Sequence, residues 1–326
     1  MGLKQYRRTE KMKYVKDYKD GDRMFDIYFC KYKSSAVTKN GKNYDNVILQ
    51  DRTGTIDAKI WEPNNVGIGE FEVFDYIEVY GDVISFNGAL QVNVKRVRKC
   101  NENEYDEREY MPISKKNIDE MFAQLIAFIE SIENTYLKTL LKKFFVEDKV
   151  FAQKFRKSSA AKTVHHGFIG GLLEHTLGVT TLCDFYCKQY PILNRDLLLT
   201  AAICHDMGKI REISAFPIND YTDEGQFLGH IVMGSEMLCE KIKEIPNFPP
   251  VLAMELRHCI LAHHGEYEFG SPKKPAIIEA VALCYADNTD AKMETFKELL
   301  ESAKETNWLG YNKLFESNLA VSRMDS

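Results

Sequence analysis

"LLLTAAICHDMGKI", Leu197 to Ile210, runs seven apolar or small side chains and a Cys straight into His205, Asp206 and Lys209. A run this apolar reads as a helix buried on all its faces. Its end would bury an imidazole beside a carboxylate, which costs on the order of several kcal/mol unless both are satisfied. A metal ion satisfies both, so the stretch predicts a helical bundle with a polar centre.

The other histidines point the same way. All eight lie between 165 and 264, whereas structural histidines would be spread along the chain. Imidazole is the usual transition-metal ligand at neutral pH. The candidates are His175, His205 with Asp206, His230, the pair His263 and His264, and Asp287. Steps of 30, 24, 33 and 23 residues separate them, too wide for a zinc finger, so each must come from a different helix of a bundle. His263 and His264 point about 100° apart on a regular helix and can both ligate only near a helix end, which Gly265 supplies. Asp290, three residues beyond Asp287, can face the same way. His165 and His166 have no evident place in the set.

Working outward, helix signals recur at about 170–189, 195–206, 228–244, 250–264, 275–290 and 293–305. A stripe of Ile118, Met121, Phe122, Leu125, Ile126 and Ile129 opens the helical part, and the rest of the chain to 326 reads as almost wholly helical. Residues 22–98 differ. Period-two segments rich in Val, Ile, Tyr and Phe, with turns at "NGK", "RTGT" and "NGA", predict about five strands closing into a small barrel. The expected organisation is therefore a basic N-terminal arm (1–21), an all-β barrel domain (22–100), an acidic linker (101–114) and an all-α domain (115–326) with its metal core at 165–290.

Composition bounds the function. A chain of 326 residues with 44% hydrophobic and 28% charged residues has room for two cores and lacks an apolar run long enough to span a bilayer. No signal peptide is evident and the eight cysteines are scattered, so a cytoplasmic location with reduced thiols is expected. A net charge of −5 argues against a protein that coats nucleic acid, though not against a local basic groove. Residues 1–19 carry seven basic side chains against two acids, and "NENEYDERE" (101–109) five acids against one Arg. Both read first as solvated segments.

The barrel pattern "LQDRTGTIDAKIWE" followed by "DYIEVYGDVISFNGALQVNVKRV" resembles the OB-fold, whose open face carries aromatic and basic residues toward single strands. Tyr32, Lys59, Trp61, Phe86 and Lys95 are the candidates for that face. The ordered set His175, "HDMGK" and Asp287 resembles the HD-domain metal phosphohydrolases. By that resemblance His175, His205, Asp206 and Asp287 serve one ion, and Asp206 bridges to a second held with His230, His263 and His264. Nitrogen and carboxylate ligands suit manganese, cobalt, iron or zinc, with manganese favoured. Two such ions about 3.5 to 4 Å apart clamp a phosphoryl group, activate water and stabilise a leaving oxygen. Asp206 and Lys209 are then the catalytic pair, with the Lys209 ammonium on a phosphate oxygen.

Over most of the helical part, "HHGFIGGLLEHT", "HDMGKIRE", "YTDEGQFLGHI" and "LAHHGEYEFGSPKKPAIIEA" resemble the YhaM-type 3′-to-5′ exoribonucleases. The resemblance implies single-stranded RNA as substrate, with single-stranded DNA as a second candidate and nucleoside monophosphates as products. His166, Tyr221 and Lys273 join Lys209, Lys59 and Trp61 as candidate substrate contacts. A homo-oligomer is left open. Two rivals remain: hydrolysis of free or cyclic nucleotides with a regulatory barrel, and a non-catalytic nucleic-acid-binding protein.

Overall fold

The computed structural model describes residues 13–162, 166–302 and 307–322. The first twelve residues of the basic arm and His165 lie outside the described residues. The chain divides into two units, Met1–Ile113 and Ser114–Ser326.

The first unit is built on five strands: β1 (Arg23–Val37), β2 (Asn43–Asp51), β3 (Gly54–Ile60), β4 (Tyr76–Phe86) and β5 (Ala89–Lys99). They close into a barrel in the order β1-β2-β3-β5-β4. The β3–β5 pairing is parallel and the others antiparallel. This is the OB-fold arrangement expected from the strand pattern. Alternate residues such as Met24, Tyr28, Val47, Leu49, Ile60, Val79, Val83 and Val92 are buried inside, as a period of two requires. Register shifts leave Lys31 of β1 and Lys95 of β5 as extra residues, bulges of the kind that bend a strand and increase its twist.

Two expectations for this unit need correction. The described end of the basic arm is not a solvated tail: Tyr14, Val15 and Tyr18 are buried, and the Val15 amide donates to Asp51 Oδ2 at 2.6 Å. The acidic stretch is not a free linker either. The Tyr105 and Tyr76 rings stack with centroids 3.7 Å apart, and the buried Tyr110 offers its carbonyl to Gln50 Nε2 at 3.0 Å. Charge counting registered the acids and overlooked the tyrosines between them, whose burial outweighs the solvation of their neighbours.

The second unit contains α1 (Ile118–Glu130), α2 (Thr135–Lys142), α3 (Lys149–Lys157), α4 (Gly171–Gln189), α5 (Arg195–Cys204), α6 (Lys209–Glu212), α7 (Asp223–Lys243), α8 (Pro250–Ala262) and α9 (Ile278–Ser302). Asn117, Asn134, Asp148, Asn194 and Thr222 cap α1, α2, α3, α5 and α7 by accepting first-turn amides. In α5 every residue from Leu197 to Cys204 is buried, because α1, α2, α4, α8 and α9 all pack around it. That burial explains its lack of a polar face.

Two features differ from the sequence expectation. The segments at 275–290 and 293–305 form one continuous helix, α9. The chain then ends in a hairpin, β6 (Trp308–Asn312) with β7 (Ser317–Ala320), where helix was expected. Its strands bury only Leu319, so no alternating pattern announced it. Among the described residues no helix is long and apolar enough to cross a membrane.

Candidate metal centre

Five helical segments deliver their side chains to one point. His175 lies in α4. His205 and Asp206 follow α5, which ends at Cys204. His230 lies in α7 just past Gly229, whose φ of 73° breaks the helix. His263 and His264 follow α8, which stops at Ala262 before Gly265 takes φ 81°. Asp287 lies in α9. Close approach is built in at Gly208, where a Cβ would overlap the His230 carbonyl, so α7 rests directly on the turn that carries Asp206.

Asp206 is the hub, and only 1% of it is exposed. Its Oδ2 lies 3.4 Å from the Nε2 atoms of both His175 and His205. Its Oδ1 lies 3.4 Å from His230 Nε2 and 3.7 Å from His263 Nε2. Two groups capable of holding an ion flank it: His175, His205 and Asp287 on one side, and His230, His263 and His264 on the other.

The imidazoles share one arrangement. Nδ1 of His205, His263 and His264 donates to the carbonyls of Ala202, Ile260 and Phe269 at 2.8, 2.7 and 2.7 Å. Nδ1 of His230 meets Glu212 Oε1 at 3.0 Å, and Nδ1 of His175 meets Asp290 Oδ2 at 2.7 Å. Fixing Nδ1–H sets the tautomer and reserves Nε2 for the centre. Asp206 Oδ1, His230 Nε2 and His263 Nε2 are buried without a hydrogen-bond partner, while Asp206 Oδ2 is paired with Lys209 Nζ. Orphaned polar atoms of this kind are costly, and a divalent cation satisfies all three. The donor set, imidazole and carboxylate without thiolate, suits a borderline transition ion.

The electrostatics agree. Burial would raise the Asp206 carboxyl, but the Lys209 ammonium and His205 hold it well below the usual range. Asp287 is likewise depressed, burial being outweighed by His175 and His205. Burial lowers His263, and burial together with His263 brings His264 to about 4, so both stand ready as neutral ligands. His175 is the exception: burial pulls it down, yet Asp287 and Asp290 raise it to about 10. A cation must displace that proton.

The other expected residues fall in different places. Lys209 Nζ lies 2.7 Å from Asp206 Oδ2, so the centre includes it. His166 does not face solvent as a substrate contact would: it is 3% exposed and its Nε2 lies 3.2 Å from Asp290 Oδ2. Tyr221 is 46% exposed beside the bridge from Ile213, and Lys273 is exposed in the turn before α9. In the barrel, Lys59 Nζ bonds Asn46, while Trp61 is half exposed, donates from Nε1 to Asn93 at 2.9 Å and lies 5.2 Å from the Tyr44 ring. Of the remaining aromatic and basic candidates, Tyr32 and Phe86 are exposed and Lys95 pairs with Asp82.

Two carboxylates hold imidazoles from behind, a role the sequence reading assigned to neither. Glu212 accepts both the backbone amide and Nδ1 of His230, each at 3.0 Å. Asp290, weighed against Asp287 as a ligand, instead holds His175 from behind. The i, i+3 spacing of the two aspartates was the one available signal.

Comparison with known proteins gives this geometry a lineage. Residues 172–292 match the HD domain family. A Bacillus velezensis protein named 3′-5′ exoribonuclease YhaM is 33% identical over 289 residues, 87% of this chain and 90% of its own length. A protein of the same name from a Geobacillus species is 32% identical over 290 residues, covering 88% of each chain. Among solved structures, the second OB-fold domain of replication protein A from Methanococcus maripaludis matches 28% of this chain and 97% of its own, at 18% identity and a TM-score of 0.24. A replication protein A heterotrimer bound to ssDNA matches 27% of this chain and 64% of its own, at 17% identity and a TM-score of 0.21. Identity of this level along nearly nine-tenths of both chains places the protein in the YhaM family of 3′-5′ exoribonucleases.

Proposed function

We propose that this chain is a metal-dependent hydrolase that shortens single-stranded RNA from its 3′ end, releasing nucleoside 5′-monophosphates. Family membership supports the reaction class. The observation that carries the site assignment is the convergence of Nε2-presenting imidazoles on the two oxygens of one buried Asp206.

The split between those oxygens favours two ions. His175, His205 and Asp287 would hold the first on the Oδ2 side, and His230, His263 and His264 the second on the Oδ1 side, with Asp206 shared. Manganese is our choice among the borderline metals. When bound, such a pair supplies Lewis acidity to the phosphoryl group, lowers the pKa of water and stabilises the leaving oxygen.

The remaining work falls to the chain itself. Asp206 fixes the centre between α5 and α7, and its charge keeps the buried Lys209 protonated. Lys209 is thereby held as a cation where a phosphate oxygen arrives. Fixed carbonyl and carboxylate acceptors prevent the imidazoles from turning, so little reorganisation accompanies reaction. In the barrel, Trp61 with Tyr44 offers a stacking surface for bases and Lys59 a charge for the backbone. Tyr221 and Lys273 are our candidates for contacts on the helical unit.

The test is product analysis. The Mn2+-loaded full chain is incubated with 5′-labelled single-stranded RNA carrying either a free or a blocked 3′ end, with single-stranded DNA in parallel. Stepwise shortening of the free-ended RNA with release of 5′-monophosphates is expected. Internal cuts, equal cleavage of blocked RNA, or hydrolysis of mononucleotides alone would overturn the proposal.

A further inference from the structure

Behind the ligand set lies an assembly that the reaction chemistry does not require. Asp290 Oδ2 receives His175 Nδ1 at 2.7 Å and His166 Nε2 at 3.2 Å. The carboxylate's other oxygen, Oδ1, rests in the space left by Gly178 on α4, where a Cβ would overlap it far inside van der Waals contact. Gly178 sits three residues past His175, on the same helical face. Glycine inside a helix costs about 0.5 to 1 kcal/mol relative to alanine, so its presence here needs a compensating reason. His166 reaches Asp290 from a backbone at φ 61°, a conformation uncommon outside glycine. The His166 carbonyl accepts from the Ala160 amide at 3.0 Å and lies where a Cβ at Gly171 would stand.

We propose that Asp290 and His166 are positioning residues for the metal centre, and that position 178 is glycine so that the Asp290 carboxylate can lie flat against α4 behind His175. This deepens the metal-dependent reading above and rests on it. Asp290 holds His175 in the orientation that directs Nε2 to Asp206 and Asp287, and the carboxylate charge makes the imidazole a better donor to a cation. His166 occupies the other side of the same oxygen and keeps Asp290 from rotating toward solvent. None of the three touches the reacting atoms.

Gly178→Ala makes the most discriminating variant, because its two effects run in opposite directions. The added methyl favours the helix, while the far end of the Asp290 side chain must swing away from His175. Mn2+ dissociation constants are measured by titration of the metal-free full chain, alongside melting temperatures without metal and RNA turnover at limiting and saturating Mn2+.

Loss of an outer partner of this type weakens metal binding roughly tenfold to a hundredfold. We expect that loss for Asp290→Ala and Gly178→Ala, and a smaller one for Asp290→Asn, which keeps an acceptor oxygen. His166→Gln should fall between wild type and Asp290→Ala. In each case KM for RNA should hold, and saturating Mn2+ should restore turnover. A merely structural role would lower the melting temperature and leave the Mn2+ constant of the folded protein unchanged. Wild-type affinity in folded Asp290→Asn and Gly178→Ala, with an active wild type, would overturn the positioning role alone. A wild type that binds no Mn2+ would instead sink the functional reading beneath it.

Discussion

Replacing Asp206 by Asn probes whether the centre is organised around one buried charge. Lys209 Nζ lies 2.7 Å from Asp206 Oδ2, and the two side chains are 15% and 2% exposed. Asparagine keeps the shape and removes the charge, leaving a buried ammonium with only the weaker influence of Asp287 and Glu212. Deleting one partner of a buried ion pair costs about 3 to 5 kcal/mol. The lower end applies, because the amide oxygen of Asn can still accept a hydrogen bond and two carboxylates remain nearby. A loss of about 3 kcal/mol in a unit spanning Ser114–Ser326 corresponds to a fall of about 6 to 12 °C in Tm. The assay is thermal unfolding by circular dichroism of metal-stripped protein near neutral pH. Asp206→Asn/Lys209→Met should recover most of the loss, since it removes the stranded cation as well. A single variant as stable as the wild type, or a double variant no better than the single, would refute this electrostatic reasoning.

Other perturbations reach different parts of the account. Glu212→Ala removes both hydrogen bonds to His230, so Mn2+ affinity should drop roughly tenfold to a hundredfold; equilibrium titration with Mn2+ checks it. His175 titrates near 10 in the folded metal-free protein, above its unfolded value of about 6.5. Its stabilisation is thus complete below about 6.5 and lost as pH rises through about 10. Melting curves of stripped protein should show that decline over this window, and Mn2+-loaded protein should not, because the ion replaces the proton. Trp61→Ala should raise KM for RNA by about 5- to 150-fold, the value of one stacked base at about 1 to 3 kcal/mol. Turnover of a small chromogenic phosphodiester should stay unchanged, and equal losses on both substrates would remove the barrel face from the substrate path.

What the sequence disclosed follows from which residues carry unusual chemistry. The run from Leu197 to Cys204 was readable because apolar residues on every face of a helix imply neighbours on every side, and its "HD" end implied a polar partner. Histidines are scarce, so their crowding into one region was itself a signal. Glu212 gave no such signal and Asp290 only its i, i+3 spacing from Asp287: acids on helices are usually solvated, and only the approach of α6 to α7 and of α9 to α4 reveals that these two are not. His166 was singled out by its type, but its burial against Asp290 depends on a backbone bend with no pattern of its own. The strands of the barrel were legible by period two, whereas the hairpin β6–β7 lacks a buried face and read as helix. The tyrosines at 105 and 110 were hidden by the acids around them.

The central claim is that Asp206 stands between two cation positions. Anomalous scattering from crystals of the full chain grown with Mn2+ tests it directly. Two peaks are predicted, one among His175, His205, Asp206 and Asp287 and the other among Asp206, His230, His263 and His264. A single peak, or none within ligand distance of these imidazoles, would contradict the account.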